Sequence, residues 1–345
     1  MIYVIIARKS ELVWGRVKKY APLLPKSTLE YINGAESLKA REDRLAGYTL
    51  LSLTYAMLLE VGTLAPLTDG KAKSVEIRKN SLKLRHIPRL TPKTIEKRSL
   101  DLSRINVSRT AAGKPYIEGA PLHFNLSHSG DAVALAISTE GEVGVDVQLA
   151  IDQTRSERLS SRFFTAPITT ERLYDVEYLY VTADDCGIIF EQIAKSDSES
   201  ADTDENKSAA TTTPHPNNVK VDAPTEGDGK AVSAFASVLD DGYAAGISSS
   251  AVAEKNIVSI VAPAKCDEDA TAVEDVKNTV SISSPDADDE YTVKWSVGEA
   301  ILKCDGRGFA AIGELQSIAD HTNASSVMLN LGNNKYAVTV AGEKL

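Results

Sequence analysis

Apolar and polar positions divide the chain into two patterned regions with an unpatterned stretch between them. The apolar run Ile2 to Ala7 predicts a short strand, and Ser37 to Glu60 predicts a long helix whose apolar face carries Leu45, Tyr48, Leu51, Leu53, Tyr55 and Leu58. Arg104 to Arg109 alternates as a strand does, and Pro115 to Ile117 and Leu122 to Leu126 flank a glycine turn. Ala132 to Ile137 and Val143 to Val147 predict a hairpin closed by Ser138-Thr139-Glu140-Gly141-Glu142. The first half therefore reads as one α+β unit. Past Phe164 the pattern fades, and Ser196 to Lys230 is almost wholly Ser, Asp, Glu, Thr, Ala, Asn, Pro and Lys. Such a composition buries too little apolar surface to offset its ordering entropy, so it predicts disorder. Residues 231–290 hold only short apolar runs between acidic patches. Order is expected to return with an amphipathic helix from Tyr291 to Lys303, a Gly306-Arg307-Gly308 turn and a closing strand at Tyr336 to Ala341.

Composition adds bounds. With 345 residues, 43% of them hydrophobic, the chain has material for one or two cores without a disulfide or metal staple. Its three cysteines, Cys186, Cys266 and Cys304, lack CxxC spacing, which argues against a zinc site and for a reducing compartment. The apolar N-terminus is too short for a signal peptide and no run of about 18 apolar residues occurs, so a soluble, cytoplasmic protein without a membrane partner is expected. The net charge of −10 conceals an asymmetry: residues 1–150 carry 22 Lys and Arg against 15 Asp and Glu, a net of +7, and the remainder carries −17. Much of the excess lies in Lys71 to Arg98, where no aromatic residues interleave for base stacking, so nucleic acid is not the expected partner. The stretch reads as a solvated insertion at about 69–100 or as a landing zone for an acidic partner.

Four blocks carry candidate chemistry. In Val143-Gly144-Val145-Asp146-Val147-Gln148 the strand period turns the three valines to one face and Asp146 with Gln148 to the other, placing a carboxylate and an amide oxygen on one exposed edge. Hard oxygen donors of this kind suit magnesium; equally, Asp146 could simply end a core strand. In Trp295 to Lys303, Glu299 and Lys303 stand four residues apart on one helical face, either as a functional pair or as a surface ion pair. Between them and Trp295 lies Gly298, which costs a helix about 1 kcal/mol relative to alanine. Gly113-Lys114-Pro115 and Phe124-Asn125-Leu126-Ser127-His128-Ser129 offer a lysine, hydroxyls and an imidazole on loops and strand ends, where an anion would find donors. Without a GxSxG elbow, Ser127 is not read as a hydrolase nucleophile.

In order, these blocks resemble those of the Sfp-type 4'-phosphopantetheinyl transferases: GKP, FNxSHS, VGxDxE and WxxKExxxK followed by GxGF. Lys39-Ala40-Arg41-Glu42-Asp43-Arg44 is similar to the family's basic helix start, and Arg162-Phe163-Phe164 to its Arg-Phe-Phe. The resemblance covers about 1–175 and 290–345. It implies two similar α/β halves with pseudo-two-fold symmetry, here 1–150 and 151–345, the second interrupted by an insertion of about 176–290. It implies magnesium at Asp146, Gln148 and Glu299, and coenzyme A as co-substrate. Lys114, Ser127, His128 and Lys303 would hold its phosphates, and Lys39, Arg41 and Arg44 its ribose 3'-phosphate. Catalytic work would fall to Glu299, Lys303 and His128, and the acceptor would be a serine of an acidic apo acyl or peptidyl carrier protein, met by a monomer. Two positions depart from the family pattern: Gln148 stands where Glu is usual, and Gly298 where Lys is usual. They keep a second reading open, a non-catalytic homologue that binds coenzyme A or a carrier.

Overall fold

The computed structural model describes residues 2–22, 24–62, 87, 89–103, 105–120, 122–151, 168, 170–173, 175–193 and 280–343. The Arg162-Phe163-Phe164 block, the stretch 196–230 and all but the end of the basic segment lie outside the described residues.

Strand β1 (Ile2–Arg8) leads into a short helix α1 (Lys9–Val13), then α2 (Lys26–Asn33) and the long α3 (Leu38–Glu60). Ser37 caps α3 by accepting the Ala40 amide, one of the four donors a helix start leaves over. Helix α4 (Pro92–Ser103) closes the basic stretch and is tied to the end of α3 by Arg98, which donates to Glu60 Oε2 at 2.9 Å. A small pair, β2 (Val107–Arg109) and β3 (Pro115–Ile117), precedes β4 (His123–Ser129), β5 (Ala132–Ser138) and β6 (Val143–Leu149). Then come β7 (Glu171–Arg172), β8 (Val176–Asp184), β9 (Gly187–Gln192) and β10 (Val280–Ser283). Helix α5 (Glu290–Asp305), the short α6 (Leu315–Ala319) and the hairpin β11 (Thr322–Leu331) and β12 (Asn334–Glu343) complete the described chain.

Two five-stranded sheets result, one ordered β4-β5-β1-β8-β9, the other β10-β11-β12-β6 with β7 beside β11. Side-chain alternation glues them face to face. Ile2, Val4 and Ile6 of β1, with Ala132, Ala134 and Ala136 of β5, meet Val143, Val145 and Val147 of β6 and Val338 and Val340 of β12. The opposite face of β1, Tyr3, Ile5 and Ala7, packs under α3. The outer face of the second sheet is covered by α5 through Trp295, Ile301 and Leu302. With both faces covered, β1 reads as an unbroken apolar run.

The sequence of strand, helix and antiparallel hairpin, with the hairpin's second strand returning beside the first strand, occurs twice: β1, α3, β4, β5 and again β6, α5, β11, β12. The second unit starts at β6, a few residues before the expected boundary at 150. The expected hairpin of β5 with β6 does not form; β5 pairs with β4 and β1, and β6 pairs with β12. The physical reason is that their apolar faces oppose each other across the two sheets, so the link 139–142 carries the chain from one sheet to the other. Likewise Pro115–Ile117 pairs with β2 rather than with the strand after the turn. Residues 176–192 and 280–283, taken from the sequence as part of the insertion, are strands: β8 runs parallel to β1, and β10 pairs with β11.

Strands β4 and β6 are edges of different sheets, and polar side chains stitch them together. Asn125 Oδ1 accepts the amide of Val145 at 3.1 Å, Ser127 Oγ that of Val147 at 3.2 Å, and Ser129 Oγ that of Leu149 at 3.0 Å. Alternate residues of one strand thus satisfy alternate amides of the other, so the free edge of β6 is closed without a backbone ladder.

Candidate active site

Asp146 lies on the outer face of β6, opposite Thr339 of β12, and α5 crosses directly above it. Gly144 permits the close approach: a Cβ there would stand 2.1 Å from the Ala300 carbonyl oxygen and 2.4 Å from the Cys304 amide nitrogen. The consequence corrects the expected exposed edge, because with the helix laid over it Asp146 is only 1% exposed.

From α5, Glu299 and Lys303 reach the same point. Lys303 Nζ donates to Asp146 Oδ1 at 2.7 Å and to Ser127 Oγ at 3.0 Å, and lies 3.5 Å from Glu299 Oε2. Ser127 Oγ donates to Asp146 Oδ1 at 3.0 Å. Two carboxylates and one ammonium in a poorly solvated space cannot all be charged without imbalance, and the proton affinities divide accordingly. Burial and then the charge of Asp146 push the Glu299 carboxyl up to about 8. Asp146 is held below the usual range: burial would raise it, but the Lys303 charge and the hydrogen bonds from its neighbours prevail. Burial pushes the Lys303 ammonium down, and the two carboxylates outweigh it, so it stays firmly protonated. At neutral pH the cluster is therefore Asp146 anionic, Glu299 protonated and Lys303 cationic. Glu299 is 15% exposed at its side chain, too enclosed for the surface ion pair that its spacing also allowed.

Among the described residues no group of three or more His, Cys, Asp or Glu side chains has metal-holding geometry. A two-carboxylate site for a hard cation still fits: Asp146 Oδ2 is buried and takes no bond from an amide, hydroxyl or ammonium, and the second carboxyl, hydrogen-bonded to Asp146, retains a proton that a divalent ion would displace. Gln148, the expected third ligand, spends its Nε2 on the Leu149 carbonyl at 3.0 Å, so only its Oε1 has ligand chemistry.

The other candidate residues fall into two groups. His128 stands next to the cluster, its Nδ1 3.7 Å from Asp43 Oδ2, with the charges of Lys303, Lys9 and Lys39 acting on it. Burial pushes the imidazole down more than Asp43 lifts it, and with 52% of the side chain open to solvent this shift carries little stability. Lys39 and Arg41 are exposed on the first turns of α3. Arg44 is engaged within the protein: it donates to the Tyr31 carbonyl at 2.8 Å and lies 4.2 Å from the Tyr31 ring centre, a ring that Arg109 also approaches, at 4.0 Å. Lys114 is likewise engaged, pairing with Glu142 Oε2 at 2.5 Å and donating to the Cys304 carbonyl at 2.9 Å, which ties the glycine turn to the end of α5. Two residues given no role by the sequence reading enter the site: Asp43, 6% exposed and part of the basic helix start, and Lys9, outside every motif, whose Nζ donates to Asp43 Oδ1 at 2.9 Å. Asp43 lies in the charged first turns of α3, where the sequence does not separate it from its neighbour Glu42, and nothing in the sequence marks Lys9.

No protein-family model matches the chain. Over a segment of 54 residues it is 48% identical to the 4'-phosphopantetheinyl transferase AcpT of Salmonella typhimurium, 46% to that of Salmonella typhi and 44% to that of Escherichia coli. The segment is 15% of this chain and 28% of each relative, so the chain matches less than a third of the length of these proteins. Similarity over this segment to proteins named 4'-phosphopantetheinyl transferases is what the comparison establishes.

Proposed function

We propose that the chain transfers the 4'-phosphopantetheine arm of coenzyme A, with magnesium, to a serine hydroxyl of an apo acyl or peptidyl carrier protein, releasing adenosine 3',5'-bisphosphate. The observation that carries this reading is the convergence of Asp146, Glu299 and Lys303, with one buried carboxylate oxygen that no amide, hydroxyl or ammonium reaches. The local similarity to named transferases supports it, and the twice-used order of strand, helix and hairpin supports the doubled fold with pseudo-two-fold symmetry that this reading entails.

In this reading Asp146 and Glu299 hold the ion, with Gln148 Oε1 as a weaker third donor. Magnesium, when bound, neutralises charge on the pyrophosphate. Lys303 supplies a fixed cation beside the phosphate, and His128 a donor at the mouth of the site. The exposed cations Lys39 and Arg41 make the start of α3 attractive to a further phosphate. Arg44 and Lys114, expected from the resemblance to bind coenzyme A, serve here to hold α2 and the glycine turn in place. The attacking serine oxygen forms a bond to the β-phosphorus as the bond to the departing adenosine bisphosphate breaks, and the leaving oxygen carries away the electron pair. The serine proton passes to Glu299 or to a water that it orients. Catalysis is positioning and charge compensation in a poorly solvated cleft.

The test is to incubate the protein with coenzyme A, magnesium and an apo carrier domain and weigh the carrier. A mass gain of one phosphopantetheine is expected; none under any metal condition would remove the enzyme reading. The neutral Gln148 favours the alternative of a non-catalytic homologue, which would bind coenzyme A yet leave the carrier mass unchanged.

A further inference from the structure

The Ser127 hydroxyl has one hydrogen to give and two lone pairs to fill. All three are used within the protein: it donates to Asp146 Oδ1 at 3.0 Å and accepts from Lys303 Nζ at 3.0 Å and from the Val147 amide at 3.2 Å. The residue is 5% exposed, so water does not compete for these bonds. A substrate phosphate could bind this oxygen only by displacing one of its partners. Meanwhile Ser127 and Lys303 both take Asp146 through Oδ1, and Oδ2 of the same carboxylate is buried and receives no bond from an amide, hydroxyl or ammonium, leaving the protonated Glu299 carboxyl as the other hydrogen-bond partner of Asp146. The neighbouring stitches, Asn125 to Val145 and Ser129 to Leu149, bond only to the backbone of β6. Among the three, Ser127 alone also touches the charged cluster.

We propose that Ser127 is a positioning residue and not a coenzyme A ligand: it locks the Asp146 carboxylate and the Lys303 ammonium in one orientation, reserving Asp146 Oδ2 for the divalent cation. This rests on the transferase reading for the presence of that cation. Loss of an oriented partner behind a metal ligand weakens metal affinity by about tenfold or more.

The experiment is a calorimetric titration of magnesium chloride into the full chain without coenzyme A, alongside melting curves with and without magnesium. It compares the parent with Ser127→Ala, Ser127→Thr and Ser129→Ala. Ser129→Ala removes the equivalent backbone stitch and serves as the control for a merely structural role. Expected is a magnesium dissociation constant about tenfold weaker in Ser127→Ala, within about twofold of the parent in Ser129→Ala, and largely restored in Ser127→Thr. The two alanine variants should melt at similarly lowered temperatures without metal, with the magnesium-induced rise in melting temperature smaller in Ser127→Ala alone. Parent-like magnesium affinity in Ser127→Ala, or equal weakening in both alanine variants, overturns the positioning role while leaving the transferase reading intact. No magnesium uptake by the parent overturns both.

Discussion

At the scale of single residues, the cluster of Asp146, Glu299 and Lys303 makes two predictions. Asp146→Ala should abolish transfer and magnesium uptake, while Glu299, relieved of the neighbouring charge, ionises to pair with Lys303 and limits the loss of stability. Carrier mass and a magnesium isotherm check the first part, and the pH dependence of melting the second. Gln148→Glu adds a charge at the third donor position and should tighten magnesium binding. The raised Glu299 carboxyl fixes a sign for pH. A folded-state value of about 8 against an ordinary carboxyl near 4.5 means that the folded, metal-free protein binds this proton more tightly than the unfolded chain does. The stability it contributes is full below about 4.5 and is lost as pH rises through about 8. A divalent cation takes the place of the proton, so the magnesium-induced rise in melting temperature should grow between about pH 6 and 8, seen by calorimetry across that range. A rise independent of pH would place the metal elsewhere.

At the scale of elements, the site depends on how closely α5 lies on β6. Gly144→Ala would set a methyl against backbone atoms of Ala300 and Cys304, which cannot rotate aside as a side chain could. We expect a loss of about 2 kcal/mol or more in denaturant unfolding, with weaker magnesium binding because Glu299 and Lys303 ride on the displaced helix. Retention of parental stability and affinity would show that α5 has slack over the strand. Element identities were largely legible from periodicity: Ile2–Arg8, Leu38–Glu60, Glu290–Asp305 and Asn334–Glu343 all lie within a few residues of their expected positions. Strand partners were not. An alternating run states which face is apolar, not which sheet will receive it, and so β6 was assigned to β5 when its partner is β12.

At the scale of the whole molecule, the first 150 residues carry the net positive charge and contribute Lys9, Lys39 and His128 beside the cluster. An acidic carrier would be steered to that side. Replacing the six cations Lys71, Lys73, Arg78, Lys79, Lys83 and Arg85 by glutamine tests whether the basic segment shares in the steering. The expected result is a lower kcat/KM for an acidic carrier at low ionic strength, with the difference vanishing as salt shortens the Debye length toward about 3 Å. Equal rates at every salt concentration would leave the segment as a spacer. None of the described helices is long and apolar enough to cross a membrane.

The sequence by itself determined the principal helices, the apolar faces of the strands and the residue types of the site, because these depend on local periodicity and on the chemistry of individual side chains. It also brought forward Asp146 and Glu299, through motif order. Only the tertiary structure decided that those two carboxyls share one enclosed space with Lys303, that Arg44 and Lys114 are spent on the protein itself, and that Asp43 and Lys9 stand beside His128. Each of these depends on which surfaces meet across sheets and helices. Proximity of that kind sets burial, and burial sets which groups keep their protons and which donors remain open to a ligand.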